Sequence, residues 1–191
     1  MATAKSPMGR VPKCPSRQQF PEITGFITPG SDFPAPHPLD ASVLIDIFDP
    51  TEKIAPGQYE RIRVVEVDDP FLIEVNWCIC GAFAASVCGC WQLNFYLDDV
   101  DGVGTSSGPL GTTQTVDVSS VQPVPDPNND DISKRCYTLQ YTVPADTVAP
   151  GAYSLIAVIT LLGGTCDNPG PLQGDYLGYA QIPVLVFIPG E

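Results

Sequence analysis

The sequence predicts an all-β protein, an antiparallel β-sandwich preceded by an extended, proline-rich N-terminal arm. The chain of 191 residues contains 21 prolines and 17 glycines spread between short apolar runs, which favours many turns and few helices. Hydrophobic residues make up 43% of the chain, enough for one folded domain with a substantial core. Near residue 40 the proline-rich sequence gives way to strand-like runs separated by turns.

Residues 1–40 are predicted to form the arm. They contain eight prolines and no sustained hydrophobic period. Each proline removes a backbone donor and fixes its own φ, so the segment cannot form a helix or a central strand. Two alternatives remain open for the arm, disorder or ordering against a protein surface. The second is favoured by its apolar side chains, which are Phe20, Ile23, Phe26, Ile27 and Phe33.

Residues 41–191 are predicted to form the sandwich domain, because eight strand-like runs alternate there with turns. The runs are 42–48, 61–67, 71–80, 90–98, 112–121, 135–143, 152–162 and 178–188. In two of them every second residue is large and apolar, which predicts one core-facing side for each strand. The predicted core positions are Phe71, Ile73, Val75, Trp77 and Ile79 in the first, and Trp91, Leu93, Phe95 and Leu97 in the second.

The stretch from Tyr141 to Leu155 ends one strand, makes a turn at Pro150-Gly151 and opens the next strand with Tyr153. It resembles the E–F corner of immunoglobulin-like and fibronectin type III-like modules. The resemblance covers residues 41–190 and implies an immunoglobulin-like β-sandwich. It implies that Tyr153 is the corner tyrosine, with its hydroxyl bonded to the loop backbone, and that Trp91 is the core tryptophan of strand C. Since no cysteine lies two residues after Tyr153, the inter-sheet disulfide of antibody domains is not expected.

Four of the seven cysteines, Cys78, Cys80, Cys88 and Cys90, fall into one pattern beside two tryptophans. By parity they project away from the predicted core. If the two runs pair as a hairpin, Cys78 lies opposite Cys90 and Cys80 opposite Cys88, at the ~5 Å Cα separation that disulfides need. Four thiolates there could instead bind zinc tetrahedrally. If the two strands belong to opposite sheets, their outward faces diverge and the cluster dissolves.

The remaining cysteines give two further hypotheses. Cys136 and Cys166 are a candidate disulfide, although nothing in the sequence fixes the distance between them. Cys14 lies in the arm and makes the cysteine count odd, so it is a candidate for an intermolecular bond, with a spare buried thiol as the alternative.

One acidic turn has the oxygen-rich composition that calcium prefers. Asp98, Asp99 and Asp101 precede Gly102, and the segment 126–131 is similar. Neither matches an EF-hand loop, and ordinary turn formation explains both segments without an ion. Zinc and calcium are therefore alternatives, and no cofactor is expected.

The formal net charge of −13 predicts repulsion from nucleic acid and from anionic membranes. Charge is also uneven, because residues 1–17 contain four bases and no acid. A basic arm can dock on its own acidic body or on a neighbouring copy. No secretory signal and no apolar run of ~20 residues is visible, so a soluble protein, cytoplasmic or particle-associated, is the default expectation.

An enzyme is not expected. The single histidine, His37, stands between two prolines in the arm, and no nucleophile elbow, phosphate-binding glycine loop or pair of metal-binding histidines is present.

The runs 152–162 and 179–188 are apolar at both parities, whereas a two-sheet sandwich buries one face of each strand. The second face needs cover from the arm or from another subunit. These features predict a noncatalytic structural protein, a subunit or accessory of a larger homo- or hetero-oligomeric particle, filament or surface layer, in which the arm and the apolar strands make subunit contacts. The alternatives are a monomeric module that binds a carbohydrate, a protein or calcium through its loops, and a small domain stabilised by zinc bound to the four clustered cysteines.

Overall fold

The computed structural model of the chain describes residues 23–27, 40–55, 58–100, 102, 107–126 and 129–190. Within these ranges the regular structure consists of strands and one short 3-10 turn, Val118–Ser120. The predicted all-β class is therefore confirmed. The strands are β1 (Ile23–Ile27), β2 (Asp40–Ala55), β3 (Gln58–Arg61), β4 (Val64–Glu66), β5 (Phe71–Gly81), β6 (Cys90–Asp99), β7 (Gly108–Pro109), β8 (Gln114–Asp117), β9 (Val124–Asp126), β10 (Asn129–Val143), β11 (Gly151–Gly164) and β12 (Pro169–Ile188).

The described strands form two sheets. The seven-stranded sheet has the order β1-β12-β11-β6-β7, and within it β4 pairs with β12 and β8 pairs with β6. The five-stranded sheet has the order β3-β2-β5-β10-β9. The pairing of β4 with β12 is parallel, and the other pairings are antiparallel. Strands β5 and β6 follow each other in the chain but belong to different sheets.

The core lies between the two sheets and follows the alternation of the sequence. The predicted core residues of β5 and of β6 are all buried, which confirms the predicted parity of both strands. Strand β11 pairs with β6 in the same sheet and also buries every second residue in the core. These residues are Tyr153, Leu155, Ala157, Ile159 and Leu161. An all-β sandwich with one continuous apolar core is the result.

Three aromatic rings join the sheets at one end of the core. The ring of Trp77 on β5 stacks on Tyr137 of β10, with ring centroids 5.1 Å apart, and meets the edge of Trp91 on β6 at 6.1 Å. The Tyr137 hydroxyl donates a hydrogen bond of 3.2 Å to the carbonyl of Val118. Burial raises the pKa of Tyr137, so the phenol stays protonated and remains a donor.

One described strand, β1, falls within the predicted arm. Residues 23–27, between Pro21 and Pro29, form β1 and pair with β12 at an edge of the seven-stranded sheet. An edge position agrees with the exclusion of prolines from central strands. Asp40, the last residue of the predicted arm, begins β2, and residues 1–22 and 28–39, which include Cys14 and His37, lie outside the described residues.

The aromatic cluster gives a stability prediction. Replacing Trp77 with alanine should lower the free energy of unfolding by about 3–5 kcal/mol, because the fully buried ring leaves a cavity between the sheets. Urea denaturation with the disulfides intact measures the change. The exposed Gln122 is a control, and its alanine variant should stay within about 0.5 kcal/mol of the parent protein. Similar losses for the two variants would contradict this account of the core.

Candidate interaction surface

The predicted hairpin of cysteines does not form, because β5 and β6 lie in opposite sheets. Cys78 instead bonds to Cys136, its register partner on the neighbouring strand β10, with the two Cα atoms 4.1 Å apart. Both residues lie on the outer face of the five-stranded sheet, so the predicted outward parity of Cys78 was right. The predicted bond from Cys78 to Cys90 is wrong, since the outward faces of the two strands diverge.

The second disulfide closes the same end of the seven-stranded sheet. Cys90, the first residue of β6, bonds to Cys166 in the connection between β11 and β12, with the Cα atoms 5.0 Å apart. The predicted pair of Cys136 with Cys166 is therefore also wrong. Cys136 bonds within the five-stranded sheet, and Cys166 bonds to a strand of the seven-stranded sheet.

The other two members of the predicted cluster differ from each other. Cys80 is disulfide-bonded and buried, whereas Cys88 is a free, exposed thiol in the connection between β5 and β6. The predicted bond between Cys80 and Cys88 is therefore wrong. The zinc hypothesis for the four residues fails as well, because three of them, Cys78, Cys80 and Cys90, are held in disulfides and cannot act as thiolate ligands.

Arg135 of β10 holds the loop that contains Cys88. Its guanidinium donates hydrogen bonds of 2.7 Å to the carbonyl of Val87 and 3.0 Å to the carbonyl of Ala85. A planar guanidinium can serve two carbonyls at once, which an ammonium group does less well. Arg135 therefore ties the loop that crosses between the sheets to the five-stranded sheet, in addition to the burial of Ala84 and Val87 in the core. Phe83 in the same loop is 58% exposed.

The acidic turn after β6 is held by its own hydrogen bonds. The Ser107 hydroxyl donates to Asp98 at 3.0 Å, and the amide of Gly102 donates to Asp99 at 3.0 Å. Asp101 lies outside the described residues. Across the described ranges, no three His, Cys, Asp or Glu side chains lie close enough together to hold a metal ion. Calcium binding by this turn stays a prediction without further support.

A different surface stands out on the outer face of the seven-stranded sheet. Three central strands present three residues each, and the strand register aligns them in three rows across the sheet. The rows are Gln92–Thr160–Leu177, Asn94–Val158–Tyr179 and Tyr96–Ile156–Gln181. None of these nine residues is an acid, a lysine or an arginine. We call this set the uncharged face.

The uncharged face continues onto the flanking strands. On one side, Ile23, Gly25 and Ile27 of β1 are the register partners of Gln181, Tyr179 and Leu177. On the other side, Thr115 of β8 pairs with Gln92, and Pro109 of β7 pairs with Tyr96. The face is thus five strands wide without a charged residue at any of these register positions.

Aromatic and aliphatic side chains on this face are open to solvent. Tyr96 is 39% exposed, Tyr179 40% and Leu177 40%, while Ile156 and Val158 between them are half-buried. The polar members are held in place by neighbours. The Thr113 hydroxyl donates to the Asn94 amide oxygen at 2.7 Å. The Gln181 amide donates to the hydroxyl of Ser154 at 2.6 Å.

The predicted second apolar side of β11 and β12 therefore lies on the outer face of the seven-stranded sheet. No strand among the described residues packs on the face that Ile156, Val158, Tyr179 and Leu177 form. The sequence showed that runs 152–162 and 179–188 are apolar at both parities, which includes Ile156, Val158 and Tyr179, whereas Leu177 precedes the second run. It did not identify Gln92, Asn94 and Tyr96 as their neighbours, because that juxtaposition depends on β6 pairing with β11.

No protein-family model matches the chain, and no characterised protein is significantly similar to it in sequence. Among the described residues there is no helix long and apolar enough to cross a membrane.

The disulfides give a stability prediction. Replacing Cys78 and Cys136 together with alanine, or Cys90 and Cys166 together, should lower the free energy of unfolding by about 2–5 kcal/mol each, because each bond closes a long loop. Chemical denaturation without reductant measures both. Cys88→Ala is the control and should change the free energy little, since its exposed thiol makes no bond. An equal loss for Cys88→Ala would contradict the assigned pairing.

The loop held by Arg135 gives a second prediction. Arg135→Ala should speed cleavage by chymotrypsin after Phe83, because a protease must open the loop that the two hydrogen bonds hold. Mapping of timed digests by mass spectrometry gives the cleavage rate. Arg135→Lys keeps the charge but not the planar pair of donors, and it should fall between the parent protein and the alanine variant. Identical rates for all three proteins would show that Arg135 does not hold the loop.

Proposed function

We propose that this protein is a noncatalytic structural subunit that assembles with copies of itself through the uncharged face. The observation that supports this most is the absence of acids and bases from nine adjoining positions on an outer sheet face, in a chain with net charge −13. The nearest acid on β6 is Asp98, one row beyond Tyr96. The proposal commits to a second copy as the occupant of the face. A particle, filament or surface layer is the setting in which such a contact would be repeated.

Charge is the argument for self-association through this face. Two copies of an acidic chain repel each other wherever acids oppose acids, and each like-charge pair 4 Å apart costs about 1–4 kcal/mol near a surface. The nine central residues and their register neighbours on β1, β7 and β8 add no such pair. Tyrosine and aliphatic side chains there would gain from leaving water, as Tyr96, Tyr179 and Leu177 remain about two-fifths exposed.

The dimensions of the face indicate the strength of the contact. Five strands and three rows span about 20 Å in each direction, or roughly 400 Å² of sheet, from standard strand spacings. A stable pairwise interface buries about 800 Å² on each partner. One uncharged face therefore supports a weak contact, and a stable assembly would need further contacts beside it.

We propose, at the level of the fold, that the sandwich is immunoglobulin-like. The strand order β2-β5-β10 in one sheet and β12-β11-β6 in the other supports this, as does the parallel pairing of β4 with β12. Trp91 near the start of β6 and Tyr153 near the start of β11 are buried in the core, at positions that suit the core tryptophan and the corner tyrosine.

A second candidate function is a monomeric module that binds a neutral carbohydrate. Tyr96 and Tyr179 lie on the same flat face, beside the amides of Gln92, Asn94 and Gln181. Aromatic rings provide an apolar surface for a sugar ring, and the amides provide donors and acceptors without charge. This candidate moves the ligand from the loops, where the sequence led us to expect it, to the sheet.

Self-association is tested by light scattering coupled to size-exclusion chromatography at several protein concentrations. The parent protein should show multiples of the chain mass of 20.4 kDa, and Tyr179→Lys should shift toward the monomer because it places charge in the contact. Gln122→Lys adds the same charge at an exposed site away from this face and should leave the mass unchanged.

A parent protein that stays at 20.4 kDa at every concentration would contradict the proposal. A rise in melting temperature with neutral oligosaccharides, lost in Tyr179→Ala, would then favour the binding module. Urea denaturation of each variant separates a lost contact from a lost fold.

A further inference from the structure

The outer face of the five-stranded sheet is more buried than a two-layer sandwich explains. The outward side chains of β2 and β5 include Ser42 at 9% exposure, Leu72 at 6% and Cys80 at 4%. On the opposite surface of the molecule, Tyr96 and Tyr179 remain about 40% exposed. None of the described strands packs on this outer face, since the other sheet lies against its inner side. A further segment of the chain is needed to cover it.

Cys80 indicates which segment that is. It is disulfide-bonded, so its partner is another cysteine of the same chain. Of the seven cysteines, four form the bonds Cys78–Cys136 and Cys90–Cys166, and Cys88 is free. Cys14 is the one cysteine that remains.

We propose that residues 1–22 dock on the outer face of the five-stranded sheet of their own chain, held there by a disulfide between Cys14 and Cys80. Forming the bond removes two protons and two electrons from two thiols. A small-molecule or protein disulfide takes them up by thiol–disulfide exchange. The inference goes beyond the proposed function, because it gives the arm an intramolecular role in place of the intermolecular bond predicted for Cys14.

Chain length permits this path. Cys80 pairs in register with Asp40, where β2 begins, and β1 begins at Ile23 on the edge of the other sheet. Nine residue steps separate Cys14 from Ile23, and an extended chain of that length reaches about 30 Å. The two sheets of a sandwich lie about 10 Å apart. The segment can therefore pass from the outer face of one sheet to the edge of the other.

Charge favours the same docking. Residues 1–17 contribute Lys5, Arg10, Lys13 and Arg17 and no acid. The face contains Asp46 and Glu74, which are direct register partners on β2 and β5. Arg61 bonds to Asp46 at 2.7 Å, while Glu74 accepts hydrogen bonds from the neutral amides of Asn76 and Gln140. A basic segment lying across these carboxylates would relieve the repulsion between two neighbouring acids.

Thiol counting on the oxidised, full-length protein tests the bond. Denatured without reductant and alkylated, the parent protein should show one reactive thiol per chain by intact mass, that of Cys88. Cys14→Ser and Cys80→Ser should each show two, because each frees the other residue of the pair. The double variant should return to one, and Cys88→Ser should show none. Three thiols in the parent protein, or one in Cys14→Ser, would overturn the proposal.

Peptide mapping of the parent protein gives a second measurement that needs no variant. Trypsin cleaves after Lys13 and Arg17, so residues 14–17 should remain attached to the peptide 64–134 until reductant is added. Fragmentation of the linked peptides should place the bond at Cys80 and not at Cys78, Cys88 or Cys90. A covalent dimer of the Cys88→Ser variant on a non-reducing gel would show that Cys14 or Cys80 bonds to a neighbouring copy, and it would overturn docking on the same chain. Light scattering of Cys14→Ser separates a test of this disulfide from a test of self-assembly. The uncharged face is intact in that variant, so its assembly should persist.

Discussion

The passage of the chain from one sheet to the other between β5 and β6 is the constraint on which the rest of this structure depends. Alternation along the two strands brings Trp77 and Trp91 into one core, where they meet Tyr137. The same alternation sends the cysteines of the two strands to opposite surfaces. Each sheet therefore has its own disulfide near this end, and the crossing loop is fastened by Arg135 instead of by a covalent bond.

The two outer surfaces that result have different chemistry. On the five-stranded sheet, Asn76, Glu74, Gln140 and Thr138 form a ladder of side-chain hydrogen bonds across β5 and β10. Those groups are satisfied within the sheet, and a basic segment of the chain is the cover that suits their charge. The uncharged face of the seven-stranded sheet offers few such bonds and no charge. It is the surface better suited to an apolar or neutral partner.

Much of the fold could be predicted from sequence, because a period of two in β5 and β6 identifies their core sides without knowledge of their neighbours. The disulfide pairing could not be predicted, because it depends on which sheet each strand joins. Cys78 and Cys80 have the same spacing as Cys88 and Cys90, but this suits a hairpin only if the two strands are adjacent. Only part of the uncharged face could be predicted from sequence. The apolar side of β11 and β12 followed from sequence, whereas its extension to Tyr96 required the register of β6.

The edges of the sandwich have a consequence for the shape of any assembly. On β12, the edge away from β11 is shared by β1 and β4, two short strands of opposite direction. The opposite edge has β7, which ends at Pro109, and the five-stranded sheet has β9, which contains Pro125. Short strands and prolines resist the addition of a further strand. Sideways growth into a continuous cross-β ribbon is therefore disfavoured, and copies of this molecule would stack flat against one another.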